Sequence, residues 1–186
     1  MAHTKWIKDL NTHDTISIAE YNEKCNSSFS KVADIVLNIG STNAVIKAEP
    51  VSTEAWKSAG DHIYILVRNG LVMKIGGTRT PMNKRWGSYL CGHYTQERGY
   101  DGKMSVTNAY IYHTIEDTLH KGDLWEIWAW KLPVVMATVD ILGEQVVIPA
   151  QVYHAYESKC IELFRNKVGK IPQLCNNSDP AFRKAK

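Results

Sequence analysis

The sequence predicts an α/β fold: a small, mostly antiparallel sheet flanked by helices, carrying an N-terminal extension. Three observations support this. Short β-rich runs are joined by tight turn signals, as in His62–Arg68, Asn69-Gly70 and Leu71–Gly76. Segments with apolar residues at 3–4 spacing alternate with those runs. One of them, Gln151 to Val168, is a long amphipathic helix.

Taken in order, Ser17 to Phe29 reads as a short helix, since Ile18, Tyr21 and Cys25 recur at helical spacing. Val32 to Ile46 alternates between apolar and small polar residues and suggests a strand pair turning at Gly40-Ser41. Ser52 is suited to cap a short helix with Glu54 in its first turn. The hairpin at 62–76 follows, and the Gly76-Gly77 pair is expected to end its second strand. Thr80-Pro81 opens the next helix, which should run to about Cys91-Gly92. Residues 92–103 read as a loop.

A helix over Ser105 to Lys121 then ends at Gly122. Leu124 to Lys131 alternates as a strand, its tryptophans in the sheet core. A second hairpin joins Val134–Leu142 to Val146–Ile148 through Gly143-Glu144. In the Gln151–Val168 helix, Val152, Ala155, Tyr156, Cys160, Leu163 and Phe164 form the apolar face, and Gly169 ends it. The tail beyond Pro172 reads as extended, with a disordered basic end at Arg183–Lys186. The domain reading is an extension over 1–50, a core over 51–170 and a basic tail over 171–186.

The chain has 186 residues, enough to bury a core without disulfide or metal staples. Its four cysteines form no C-x-x-C pair and its seven histidines no metal-like spacing, which argues against a zinc ribbon or thioredoxin-type centre. The N-terminus lacks a signal-peptide core, and Leu132 to Leu142 is too short to span a bilayer. A cytoplasmic protein with reduced thiols and no membrane partner is expected.

Charge is uneven. Between residues 65 and 103, Arg68, Lys74, Arg79, Lys84, Arg85, Arg98 and Lys103 stand against Glu97 and Asp101, a net +5 where the whole chain carries +3. Positive charge gathered on a hairpin and the following helix suits a phosphate-binding surface, with Arg68, Arg79, Lys84 and His93 as candidate DNA contacts. Arg85 and Tyr89, four apart, share one helix face.

Tyr64 and Lys74 pose a register question. With Asn69-Gly70 as a two-residue loop, Tyr64 pairs with Ile75, and Lys74 points to the opposite face. A single bulge or a longer loop brings the two onto one face.

His62-Ile63-Tyr64, followed ten residues on by Lys74-Ile75-Gly76, resembles the paired motif of the GIY-YIG nucleases. Arg85 in Lys84-Arg85-Trp86-Gly87-Ser88-Tyr89 matches that family's helix arginine, with a hydroxyl residue four positions on. Glu157 matches its metal-binding glutamate. The resemblance spans roughly residues 60–168. It departs from the family pattern at His62, where a glycine is usual, and at Lys74, where a second tyrosine is usual. A lysine there is similar to the small type II restriction endonuclease branch.

The resemblance implies Mg²⁺-dependent hydrolysis of phosphodiester bonds in double-stranded DNA, with one Mg²⁺ per active site. Tyr64 would be the general base and Lys74 would favour its phenolate. Arg85 would hold the phosphoryl oxygens, Tyr89 would hydrogen-bond the scissile phosphate, and Glu157 would ligate the metal. Cutting both strands of a symmetric site implies a homodimer, with 1–50 and the loops at 92–103 and 132–149 free for base reading and dimer contacts. A noncatalytic nucleic-acid-binding module and a repair or mobile-element nuclease of the same family are the alternatives. Read singly, Tyr64 and Tyr89 are packing residues, and Lys74 and Arg85 are solvated charges. Glu162 is a rival to Glu157, but it lies five residues on, on a different helix face.

Overall fold

In a computed structural model, residues 11, 13–40, 44–97 and 106–175 are described; side chains are described for these except 91–97 and Val106. Five helices and seven strands follow the order α1 (Ile18–Lys24), β1 (Ser30–Leu37), β2 (Ile46–Pro50), α2 (Thr53–Lys57), β3 (His62–Arg68), β4 (Leu71–Thr78), α3 (Met82–Glu97), α4 (Val106–His120), β5 (Trp125–Lys131), β6 (Val135–Ile141), β7 (Glu144–Ala150) and α5 (Tyr153–Val168) among the described residues.

One antiparallel five-stranded sheet runs β2-β1-β5-β3-β4, and β6 and β7 form a separate two-stranded sheet. The α/β architecture is thus as expected. β1 and β2, although within residues 1–50, belong to the central sheet: β1 pairs with both β2 and β5.

The sheet is covered on both faces, so its strands are apolar on both sides. On one face, Tyr64, Leu66, Trp125 and Ile127 pack beneath Trp56 of α2, Trp86 and Tyr89 of α3, and Ile111 and Ile115 of α4. On the other, Ile63, Ile65, Val67 and Ile75 pack against Tyr21 of α1 and Cys160 and Phe164 of α5. Trp125 lies in the first core, while Trp128 and Trp130 flank the second.

Some local signals act as read. The Ser52 hydroxyl accepts from the Ala55 backbone N–H and caps α2, and Ser17, not singled out as a cap by the sequence, does the same for α1 through Glu20 N–H, although α1 ends at Lys24 rather than near Phe29. Asn69 and Gly70 take φ of 50° and 78°, the left-handed pair of a type I′ turn.

Other readings are corrected. Gly76-Gly77 does not end β4; the strand continues to Thr78, opposite His62. Helix α3 does not stop at Cys91-Gly92 but runs to Glu97, so the expected 92–103 loop is helical to that point, and 98–103 lies outside the described residues. The second hairpin turns at Leu142-Gly143, with φ of 55° and 89°, so Glu144 belongs to β7 and 132–149 is largely strand rather than loop. On α5, Ala155 is exposed, and Tyr153 and Ile161 take part in the packing instead. The Arg183–Lys186 end also lies outside the described residues.

The free edge of β4 is shielded from two directions. Ile18 N–H donates to Gly70 O, and Val72 N–H donates to Ile16 O. Further along, Leu174 N–H donates to Met73 O, and both Leu174 and Cys175 are buried. The first residues beyond Pro172 therefore act as a strap on the sheet edge. Among the described residues, no helix is long and apolar enough to cross a membrane.

Candidate active site

β3 and β4 hold the first two side chains. Their register is Arg68↔Leu71 and Val67↔Val72, then Leu66↔Lys74 and Tyr64↔Gly76, with Met73 the extra residue of a β-bulge. The strict pairing of Tyr64 with Ile75 is thereby replaced. Lys74 lies on the face that carries Leu66 and Tyr64.

Gly76, opposite Tyr64, leaves room for the phenol to lie across β4. A Cβ there would fall 2.5 Å from Tyr64 Cζ, inside the ring's van der Waals surface. Gly77 does the same on the other face, where a Cβ would lie 2.6 Å from Tyr153 Cδ2 and 2.9 Å from Glu157 Oε2. The two glycines thus bring a phenol and a carboxylate to opposite sides of one strand at consecutive residues. Given 3.8 Å between neighbouring Cα atoms, the Tyr64 and Glu157 oxygens lie within about 12 Å of one another.

α3 supplies the partners of Tyr64. Arg85 Nε donates to Tyr64 Oη at 2.9 Å, and Arg85 Nη2 donates to Tyr89 Oη at 2.9 Å. The two phenol oxygens stand 2.5 Å apart. Arg85 Nη1 donates to Ser88 Oγ at 3.1 Å. The guanidinium carbon lies 5.4 Å from the Tyr64 ring centroid and 4.6 Å from that of Tyr89. Tyr64, Tyr89 and Arg85 therefore form a closed hydrogen-bonded ring.

Both tyrosines are 1% exposed. Burial, followed by the Tyr64 phenol beside it, pushes the Tyr89 pKa well above its ordinary value, against the lowering pull of Arg85. Burial by itself would lower the Arg85 pKa, but the two phenol oxygens outweigh it and raise it, so the guanidinium stays charged. With Tyr89 protonated, its hydrogen can be given to the Tyr64 oxygen, which then accepts from two donors.

Lys74 is buried, and its Nζ donates to the Leu174 carbonyl at 3.4 Å. Next to it, the Cys175 thiol donates to Ile75 O at 3.3 Å. Burial raises the Cys175 pKa; the Lys74 ammonium pulls it down and the Glu157 carboxylate pushes it up. One buried sulfur thus feels both charges.

Glu157 is partly exposed at 27%, with His154 Nδ1 4.0 Å from its Oε2. Among the described residues, no three His, Cys, Asp or Glu side chains gather as a metal cluster. Any metal here would rely on one carboxylate, water and a substrate oxygen.

The expected DNA contacts fare differently. Arg68, at the far end of β3, is locked to Asp123 through Nε at 2.7 Å and Nη2 at 2.6 Å, and so is committed within the fold. Arg79 is exposed just past β4, lining a cleft of about 420 Å³ with Asp61 and Lys131. Lys84 is exposed on α3 beside Arg85. His93 is on α3, but its side chain lies outside the described residues.

His62 is buried. Its Nδ1–H donates to Gly60 O at 2.9 Å, and its Nε2, also 2.9 Å away, accepts from Ser58 Oγ. Both ring nitrogens are used within the fold.

Sequence reasoning passed over Ser88, Tyr153 and the 174–175 strap. Ser88 carried a signal, since it stands three residues after Arg85 on the face shared with Tyr89. The strap carried none.

No family model and no curated protein sequence matches the chain. Solved structures do. Restriction endonuclease HPY188I in complex with product DNA aligns over 91% of this chain and 91% of its own, at 23% identity and a TM-score of 0.55. A mutant of bacteriophage T4 EndoII aligns over 81% of this chain and 96% of its own, at 18% identity and a TM-score of 0.52. At these identities the likeness is one of fold.

Proposed function

We propose that this chain is a Mg²⁺-dependent DNA endonuclease of the GIY-YIG type, closest in kind to the type II restriction enzymes that cut at defined sites. The observation that carries the reading is the Tyr64–Tyr89–Arg85 ring, separated from the Glu157 carboxylate only by the Gly76-Gly77 strand. The fold shared with a restriction endonuclease bound to product DNA supports it.

Phosphodiester hydrolysis needs a base for the attacking water and cations for the charge that builds on phosphorus. A free tyrosine, with pKa about 10, is a poor base at neutral pH. The Tyr64 oxygen accepts from Arg85 Nε and is placed to accept from the Tyr89 hydroxyl. Both donors orient that oxygen as an acceptor within the ring. Lys74, on the same face, adds positive charge, its ammonium held by the Leu174 carbonyl. Tyr64 can then take the proton of a water, while the Arg85 fork, drawn toward a phosphate, holds its non-bridging oxygens. Tyr89 stays neutral and donates.

Glu157 is the residue that would hold Mg²⁺, which commonly binds one or two carboxylates and completes its shell with water and substrate phosphates. When bound, the ion neutralises charge on the phosphate and on the departing 3′ oxygen. Arg79 and Lys84, exposed on either side of the start of α3, suit the flanking DNA backbone. One such site cuts one strand, so cleavage of both strands calls for two copies of the chain. DNA in the cytoplasm would be its substrate.

Purified protein incubated with plasmid DNA, with and without Mg²⁺, tests the reading. Discrete fragments that need Mg²⁺ are expected, and Glu157→Gln should abolish them while a mobility shift on DNA persists. A mobility shift without cleavage in either condition would identify a noncatalytic binding module instead.

A further inference from the structure

A regular antiparallel strand turns successive carbonyls to alternate sides, toward its partner and away from it. At the Met73 bulge that alternation fails. Val72 and Met73 are consecutive and buried, and both carbonyls accept from groups outside the β3–β4 pairing. Val72 O accepts from Thr15 Oγ1 at 2.6 Å, and Met73 O accepts from Leu174 N–H at 2.9 Å. A buried carbonyl left without a donor is costly. The two donors therefore stabilise the bulged register against the regular one.

The register decides what surrounds Tyr64. In the strict pairing, Ile75 rather than Gly76 stands opposite Tyr64, and Lys74 turns to the face of Ile63, Ile65, Cys160 and Phe164. With the bulge, Gly76 leaves room for the phenol and Lys74 stays on its face.

Thr15 and Leu174 come from opposite ends of the described chain, and those ends are joined. Asn11 N–H donates to Gln173 Oε1 at 2.9 Å, and Gln173 Nε2 donates back to Asn11 O. Lys170 Nζ lies 2.5 Å from Asp14 Oδ2. Past the bulge the strap takes two further points. Leu174 O accepts from Lys74 Nζ at 3.4 Å, and Cys175 Sγ donates to Ile75 O at 3.3 Å. A strap that only covered the sheet edge would engage backbone alone. This one also takes the Lys74 ammonium.

We propose that Thr15 and the Leu174 backbone are positioning groups: the two joined segments form a clamp that fixes the Met73 bulge and so holds Lys74 on the face of Tyr64. The inference rests on the nuclease reading only for the use made of Lys74; the clamp itself is read from the bonds to β4.

Limited acetylation of the full chain by an N-hydroxysuccinimide ester, read by mass spectrometry, tests the clamp without any cleavage. Lys74 of the wild type should label far more slowly than exposed Lys57, the internal standard. Thr15→Val keeps the side chain's shape but removes the donor, and should raise Lys74 labelling at least threefold. Thr15→Ser keeps the hydroxyl and should retain the wild-type rate. Leu174→Pro removes the N–H and should raise labelling at least tenfold; Thr15→Val keeps the test open should that variant fail to fold. Phe164→Leu thins the core on the other sheet face and should leave Lys74 protected, which separates the clamp from general loosening. Thr15→Val should also slow single-turnover cleavage at least threefold in the wild-type background, and not further beside Lys74→Met. Unchanged labelling in Thr15→Val, the same rise in Thr15→Ser or Phe164→Leu, or equal slowing with and without Lys74 would overturn the proposal. Protection that depends on Thr15 in a protein that cleaves no DNA would retain the clamp and remove the nuclease reading. Cleavage by a protein whose Lys74 labelling ignores Thr15→Val would do the reverse.

Discussion

Tyr64 gains its chemistry from its neighbours rather than from exposure. A phenol this buried, contacted by a guanidinium and a second phenol, has an environment that no solvated tyrosine has. Removing the oxygen leaves the ring packing intact, so Tyr64→Phe should fold normally and cleave at least ~100-fold more slowly, the usual contribution of a positioned base. Arg85→Lys tests the fork. An ammonium cannot bond both phenols and Ser88 from one plane, so a comparable loss is expected in single-turnover cleavage. His62 has a different task. Burial lowers its pKa, and the nearby Lys131 adds to this while the Gly60 carbonyl opposes it. A depressed histidine contributes stability above its unfolded value near 6.5, and that stability is lost as pH falls through the folded value. Thermal melts of wild type should therefore drop between pH 7.5 and pH 5.5, and those of His62→Gln should drop less.

At the scale of elements, two devices build the site: the Met73 bulge and the Gly76-Gly77 pair. Both were only partly legible in the sequence. Asn69-Gly70 announced the hairpin, and two-residue arithmetic gave the register near the turn correctly. A bulge was one of the registers the sequence left open and could not be chosen over the strict pairing, because Leu71–Ile75 is apolar on both faces apart from Lys74 and a one-residue slip leaves little trace in such a pattern. The glycines signalled space beside the strand but not its occupants, which arrive from β3 and α5, far along the chain. Their roles differ measurably. Gly76→Ala drives a Cβ into a buried tyrosine and should cost about 1–3 kcal/mol of stability by denaturant titration. Gly77→Ala meets two partly exposed side chains that can swing aside, so it should cost less stability but displace Glu157 and lower cleavage.

For the molecule as a whole, the three-layer plan was readable because sheet and helix periodicities differ, whereas the ordered set Tyr64, Lys74, Arg85, Tyr89 and Glu157 was implied by the resemblance to the GIY-YIG nucleases, helix spacing giving only that Arg85 and Tyr89 share a face. Long-range placement was not. Strand order, the membership of β1 and β2 in the central sheet, and the 174–175 strap over Lys74 depend on pairings between distant segments that leave no local mark. One end of β4 gathers phenols, cations and a carboxylate, and the hairpin stands apart as an acidic, aliphatic surface.

The most direct measurement is the single-turnover rate of plasmid cleavage in Mg²⁺ by wild type, Tyr64→Phe, Glu157→Gln and the double variant. If the two groups serve one phosphate across the glycine strand, each single change lowers the rate by ~100-fold or more, and the double variant is little worse than either. Near-wild-type cleavage by either single variant would contradict the assignment.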